Sequence, residues 1–302
     1  MLAEALAGLA VHANGTYVDA TYGRGGHSGA ILEALQGSGM LHALDRDPAA
    51  AAQARQQHGT APNFRIHARN FADLAALAGE LGITGRIDGL LLDLGVSSPQ
   101  FDDAARGFSF ASDGPLDMRM NPQSGESAAQ WLARAKEVEI ADVLWRFGEE
   151  RNSRRIARRL VETRGETPIT STAQLAAVIA SVPGPRSHKI HPATRSFQAI
   201  RIHINGELAA LEAALAAAPA LLAPGGRIAV LSFHSLEDRM VKRFFREGGG
   251  ERREAVDRHA VAPPASRLPP LKRISRTFPS AEEIEANPRA RSAVLRVAER
   301  LS

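Results

Sequence analysis

Residues 18–30 read VDATYGRGGHSGA, the end of a strand-like run passing into a glycine-rich turn. Glycines at 23, 25 and 26 let the backbone come close to a ligand, because no Cβ stands in the way. Asp45 closes the next strand-like run, Met40–Leu44, 22 residues after Gly23. An acidic side chain at that place in an α/β fold meets ribose hydroxyls. The spacing here is G-x-G-G, whereas a pyrophosphate cradle needs G-x-G-x-x-G, so a nicotinamide dehydrogenase fails on glycine spacing. A nucleoside cofactor without a diphosphate fits, and S-adenosylmethionine is one. The same glycines also describe a plain βα turn.

A second cluster is Asp93-Leu94-Gly95-Val96-Ser97-Ser98-Pro99-Gln100, at the end of the apolar run 87–94. Ligands of open α/β sheets sit beyond the carboxyl ends of strands. Amino-group methyltransferases often place a D/N-P-P-aromatic segment there, for a physical reason. The lone pair of a nucleobase amino group is delocalised into the ring. Acceptors that hold its hydrogens help the nitrogen pyramidalise. Ser97, Ser98 and Pro99 keep the polar groups and the proline-fixed carbonyl, and they are the candidate catalytic residues. An ordinary Ser-Pro turn is the plainer reading. Phe71, after the third strand, suits either the cover of an adenine face or a core position opening a helix. His234 and Asp238 share a strand–helix turn, but their spacing is too weak to claim a metal, and no metal is expected.

These positions need a sheet to hold them. Strands are expected at 16–20, 40–44, 64–67 and 87–94, and helices at 28–35, 48–58 and 71–81, with Pro48 at a first helical position. Alternation of this kind means βαβ units and a parallel sheet. The rhythm breaks at 95–125, which is rich in Gly, Ser, Pro and Asp. Helical segments without strands follow at 127–135, 137–147, 152–162, 172–181 and 193–203. Strand character returns at 227–233 and 293–298, with a helix at 236–247 and an extended basic loop expected at 248–276. The expected fold is α/β, a mostly parallel sheet domain at 1–103 and 206–302 with a helical domain at 104–205 inserted into it.

The chain has 302 residues, 44% hydrophobic and 23% charged, which excludes a disordered tail or a fibre. It has no cysteine, so disulfides and thiolate chemistry are excluded. The N-terminus lacks a basic region and a long apolar core, and 208–223 is interrupted by Glu212, so a cytoplasmic protein without membrane spans is expected. Net charge runs from −3 over 1–100 to +3 over 101–205 and +4 over 206–302. The basic run 151–164 suits a phosphate backbone or a solvated helix face. Arg151, Arg154, Arg155, Arg158 and Arg159 are spaced to cover more than one helical face, so not all are expected to meet nucleic acid. Arg154 and Arg158 share a face at i, i+4. Trp145 is expected in the core of an amphipathic helix.

Ten stretches, among them DATYGRGGHS (19–28), DRDP (45–48), NFADL (70–74), DLGVSSPQFD (93–102), DMRM (117–120), GEERNSRRIARR (148–159), ATRSFQAIRIHINGEL (193–208) and SFHSLEDRMVKRF (232–244), span the chain in order. In them the chain resembles the MraW/RsmH family of ribosomal RNA small subunit methyltransferases. The resemblance implies a Rossmann-like class I methyltransferase. It implies S-adenosylmethionine-dependent methylation of the N4 amino group of a cytidine in the decoding region of 16S ribosomal RNA, within the small ribosomal subunit. It places cofactor contacts on Gly25, Gly26, His27, Asp45, Phe71, Asp93 and Gln100. The residues alone would not have selected His27 or Gln100. Family members usually carry an H-x-P-V segment before the first helix, and this sequence starts Met1-Leu2-Ala3-Glu4. The inserted domain is the natural RNA reader, with Arg119, Arg154, Arg155 and Arg158 as candidate contacts. A DNA amino-methyltransferase is disfavoured by Ser-Ser-Pro-Gln, so no DNA partner is expected. A non-catalytic RNA-binding assembly factor would not need the intact set Gly25, Gly26, Asp45, Asp93 and Gln100.

Overall fold

The computed structural model describes residues 1–184, 191–247 and 270–302. They divide into two compact units, Met1–Gly95 with Leu208–Ser302, and Val96–Glu207. The sequence division at 103/104 and 205/206 differs from these breaks by eight residues at the first and two at the second, so that 96–103 belong to the helical unit.

The first unit runs α1 (Leu2–Leu9), β1 (Thr16–Asp19), α2 (Gly26–Leu35), β2 (Met40–Leu44), α3 (Pro48–His58), β3 (Phe64–His67), a 3-10 turn (Phe71–Asp73), α4 (Leu74–Leu81) and β4 (Ile87–Asp93). The second unit contributes α5 (Ser98–Asp102), α6 (Ala128–Arg134), α7 (Glu137–Gly148), α8 (Ser153–Glu166), α9 (Thr172–Ser181) and α10 (Thr194–Asn205). The chain then returns through α11 (Glu207–Leu221), β5 (Leu222–Ser232), α12 (Ser235–Arg246), β6 (Leu271–Thr277), α13 (Ala281–Ala286) and β7 (Val294–Arg300).

The seven strands form one sheet in the order β3-β2-β1-β4-β5-β7-β6. β1 to β5 are parallel, and β7 runs antiparallel to both β5 and β6. This is the Rossmann-like arrangement expected. The strand order reverses between β1 and β4, the switch point where α/β sheets open a crevice at their carboxyl ends. The run IDGLLLD shows how sequence sets the layers. Leu90 and Leu92 pack with α4, α11 and α12, while Leu91 packs on the opposite face with residues of α1, α2 and α3. Successive side chains of a strand point to opposite faces, so a parallel strand covered on both must be apolar throughout. Burying each such leucine stabilises the fold by about 1.5–3 kcal/mol.

Asp47 caps α3 by accepting from the Ala49 N–H at 3.0 Å, ahead of Pro48. The loop expected at 248–276 is corrected at its end, where 271–277 forms edge strand β6. Only Leu271 there is buried, and Lys272, Arg273 and Arg276 are exposed. A charged edge strand carries no period-two signal and resists further pairing. The remainder of that stretch, 248–269, lies outside the described residues.

The second unit has its own core, built around the fully buried Trp131 with Leu144, Ile156, Leu160, Leu175 and Ile200. Asn205, at the end of α10, pins the segment before α6. Its Oδ1 accepts from the Met120 N–H and its Nδ2 donates to the Met118 carbonyl, each at 2.7 Å. No single described helix is long and apolar enough to cross a membrane.

Candidate active site

The first unit brings Gly25, Gly26, His27, Asp45, Phe71 and Asp93 to the carboxyl ends of β1 to β4, or to the turns that follow them. Asp19, the last residue of β1, is fully buried and organises this rim. Its Oδ2 accepts from the Ser28 hydroxyl at 2.6 Å and its Oδ1 from the Thr21 N–H at 3.1 Å. The Thr21 hydroxyl oxygen accepts in turn from the Asp93 N–H at 2.6 Å. One carboxylate thereby fastens the start of α2 and, through Thr21, the end of β4. Burial raises the Asp19 pKa, against the pull of the Ser28 hydroxyl. The sequence reading missed Asp19, although an acidic residue closing an otherwise apolar strand was visible.

Asp45 holds the neighbouring turns. Its Oδ2 accepts from the Gly23 N–H and its Oδ1 from the Asp47 N–H, each at 2.8 Å. Burial pushes its pKa up to about 6, opposed by those two donors. Gly25 has φ +78°, and a Cβ there would collide with the Tyr22 ring and hydroxyl. Tyr22 is fixed by donating to Gln57 Oε1 at 2.6 Å. Gly26 differs, because nothing lies within 4 Å of where its Cβ would stand. The fold itself requires the first glycine. The second leaves an open place at the start of α2.

His27 Nδ1 lies 3.4 Å from Asp93 Oδ2. Burial pulls the imidazole pKa down, but the Asp93 carboxylate, with help from Asp19, outweighs it and leaves the pKa raised. His27 Nε2 and Asp93 Oδ1 are buried with no hydrogen-bond partner. Orphaned buried polar atoms are costly, and two at one rim point to a ligand that satisfies them. Phe71 is half-buried against the core at the mouth of α4, so its ring has both a packed and an open side.

Ser97, Ser98, Pro99 and Gln100 open the second unit. The Ser97 N–H donates to Gln100 Oε1 at 3.0 Å, and Pro99 sits in the first turn of α5, where its missing N–H costs nothing. Gln100 is buried and Ser98 is exposed. The Gln100 carbonyl therefore already serves the loop that presents the two serines.

Arg119 donates to Asp117 from Nε at 2.8 Å and from Nη2 at 2.6 Å, and its Nη1 donates to the Gly125 carbonyl at 3.2 Å. Its guanidinium is engaged within the unit. Arg154, Arg155, Arg158 and Arg159 are all exposed, while Ser153, Ile156, Ala157 and Leu160 face the core. Of the five arginines expected to spread over more than one face, Arg151 precedes α8 and is not part of the lining, whereas Arg154, Arg155, Arg158 and Arg159 line one groove of about 680 Å³ with Glu162 and 181–183. At 100° per residue, positions 154, 155, 158 and 159 span only about 140° of the helix. The core position expected of Trp145 is corrected, since it is 58% exposed, whereas Trp131 fills the core. His234 and Asp238 are not a pair. Asp238 accepts from Arg296 at 2.7 and 3.1 Å, and His234 Nε2 lies 2.9 Å from Glu237 Oε1.

Residues 1–301 match the MraW methylase family. A ribosomal RNA small subunit methyltransferase H from Thioalkalivibrio sulfidiphilus is 59% identical over 306 residues, covering 100% of this chain and 96% of that protein. One from Xanthomonas euvesicatoria pv. vesicatoria is 55% identical over 307 residues, covering 99% and 87%. Among solved structures, an rRNA methylase from Streptococcus thermophilus aligns with TM-score 0.41 and 12% identity, covering 99% of this chain and 95% of that one, too distant to bear on the site. Extended glycine turn, acidic strand ends and whole-length similarity agree, and the chain belongs to the MraW methylase family.

Proposed function

We propose that this chain methylates ribosomal RNA of the small subunit, at the N4 amino group of a cytidine in the decoding region of 16S rRNA. The methyl donor is S-adenosylmethionine. The observation that carries the reading is the pair of unpartnered buried atoms, Asp93 Oδ1 and His27 Nε2, beside the open place at Gly26. A cofactor with an ammonium group, a sugar diol and a flat base suits that rim. Asp45 would hold the ribose hydroxyls, Asp93 with His27 the polar tail, and Phe71 a face of the adenine. Gln100 would contribute from the loop beyond β4. Whole-length similarity to small subunit rRNA methyltransferases supports the substrate class.

When bound, the cofactor supplies an electrophilic methyl on a sulfonium. Held by Asp45, Phe71 and the Asp93–His27 pair, it would offer that methyl to the target nitrogen and leave as a neutral thioether. The residues of the chain position the nitrogen. Ser97 and Ser98, by side chain, and the loop around Pro99, by its carbonyls, accept the amino hydrogens and turn the lone pair toward the methyl. No strong base is needed beforehand, because the methylated nitrogen would be cationic and would give its extra proton to solvent water. The target base must leave its stack to reach such a rim. The helical unit reads the RNA around it, with Arg154, Arg155 and Arg158 as candidate contacts.

The purified chain with radiolabelled cofactor tests this on small ribosomal subunits and on duplex DNA. Label in rRNA alone is expected, and label in DNA or in neither would contradict it. Replacing Ser97 and Ser98 together with alanine should lower turnover by about 5- to 150-fold, since each neutral hydrogen bond is worth about 0.5–1.5 kcal/mol. Cofactor affinity should hold. Unchanged turnover would remove the serines from the site.

A further inference from the structure

We infer that the groove between α8 and the end of α9 is a binding cleft for the RNA phosphate backbone, with Arg154 and Arg155 as its primary contacts and Arg158 and Arg159 as its second row. The inference rests on the reading of RNA as substrate and adds the place and chemistry of its grip.

Four guanidinium groups line this groove against a single lining carboxylate, Glu162. The two rows differ. Arg158 lies 3.9 Å from Glu137 and Arg159 lies 3.7 Å from Glu162, long contacts between exposed side chains. Arg154 and Arg155 have no ion pair among the described residues, and both are exposed. Packing does not require any of them, because α8 meets the core through Ser153, Ile156, Ala157 and Leu160. Like charges gathered on one helical face repel one another and slightly destabilise the isolated helix. An arrangement that costs stability and contributes no packing suits a polyanion. The opposite wall, Ser181-Val182-Pro183, is uncharged, so it does not neutralise the arginines. Arg154 and Arg158 are one turn apart, a rise of about 6 Å, comparable with the step between successive phosphates of a strand. Guanidinium groups bind phosphate oxygens in pairs through a planar fork, which favours arginine over lysine here. Arg119, whose fork already holds Asp117, lies outside this set.

The test uses the full chain and a labelled 12-nucleotide single-stranded RNA, with affinity measured across a salt series. Each phosphate contact on a single strand contributes about 0.7 to the slope of log affinity against log salt. Replacing Arg154 and Arg155 together with alanine should flatten the slope by about 1.4 and weaken binding at low salt by about tenfold or more. Lysine at both positions should restore most of the slope. Glu162→Gln should tighten binding a few-fold. Thermal unfolding should be unchanged in all three, since exposed substitutions move stability by about 0.5 kcal/mol or less. An unchanged slope in the double alanine variant overturns the proposal. So does an equal loss of affinity for the same RNA with an uncharged methylphosphonate backbone. Displacement of the RNA by an equal charge of polyglutamate would assign the groove to an acidic protein and overturn it as well. A wild-type chain that binds RNA through the groove yet methylates no rRNA would overturn the proposed function and leave the groove standing.

Discussion

The polar groups at the rim of the sheet and the guanidinium groups along α8 differ in what they already touch. At the rim, Asp19 and Asp45 each hold two donors of their own chain, and Asp93 lies against His27. These bonds fix the turns before a ligand arrives, and they leave Asp93 Oδ1, His27 Nε2 and the open place at Gly26 unfilled. Along α8 the charges have few partners and stand in solvent. The first arrangement suits a small rigid molecule, which gains affinity from groups already oriented. The second suits a long flexible anion, for which charge density matters more than fixed geometry.

The sharpest way to break this contrast is to strike each unit's own support. Trp131→Ala removes the largest fully buried side chain of the second unit and should cost about 3–5 kcal/mol of its stability, read by chemical unfolding. Cofactor binding by the first unit should survive in mild conditions. Trp145→Ala, at an exposed position, should cost about 0.5 kcal/mol or less. Asp93→Ala should weaken cofactor binding by about 10- to 150-fold, the range for losing a hydrogen bond to a charged group, and calorimetry would measure it. The salt slope for RNA should stay as in wild type. A parallel loss of RNA affinity would show the two functions are not separable as drawn.

Smaller effects separate neighbouring glycines. Gly25→Ala must adopt φ near +78° beside Tyr22 and should lose about 1–3 kcal/mol of stability. Gly26→Ala meets no neighbour, so it should fold as wild type while binding the cofactor more weakly. Equal binding in Gly26→Ala would deny that a ligand occupies that place. The mildest effect is with pH. Asp45 has a pKa of about 6, and only its ionised form accepts hydrogen bonds from a sugar diol with both oxygens. Cofactor affinity should be full above that value and fall as pH drops through it, since the proton must leave before the diol is held. Calorimetry at pH 5 and 7.5 would show this, and Asp45→Asn should bind weakly at both.

Much of the rim was legible because its signals are local. Strands β2 and β3 and helix α3 begin and end where apolar runs, Pro48 and turn residues place them. Asp45 was legible from its distance to the glycine turn. The Asp19–Ser28 and Thr21–Asp93 bonds were not, because their meaning depends on which strand ends meet. Sequence could not tell that Gly25 serves the fold and Gly26 leaves space, since both are glycines in one turn. Trp145 and Trp131 are both tryptophans on helices of the second unit, and only tertiary packing decides that one is exposed. That Arg154 and Arg158 share a face was legible from their i, i+4 spacing, but the wall facing them was not, because it comes from the end of α9.

If this chain acts as proposed, a methyl group reaches the exocyclic nitrogen of a cytidine. Nucleosides from 16S rRNA of cells with and without this chain, separated by chromatography and fragmented in a mass spectrometer, test it most directly. N4-methylated cytidine present only with the chain is the predicted result. Its presence at equal level in both, or a methyl found on ring carbon instead of the amino nitrogen, would contradict the account.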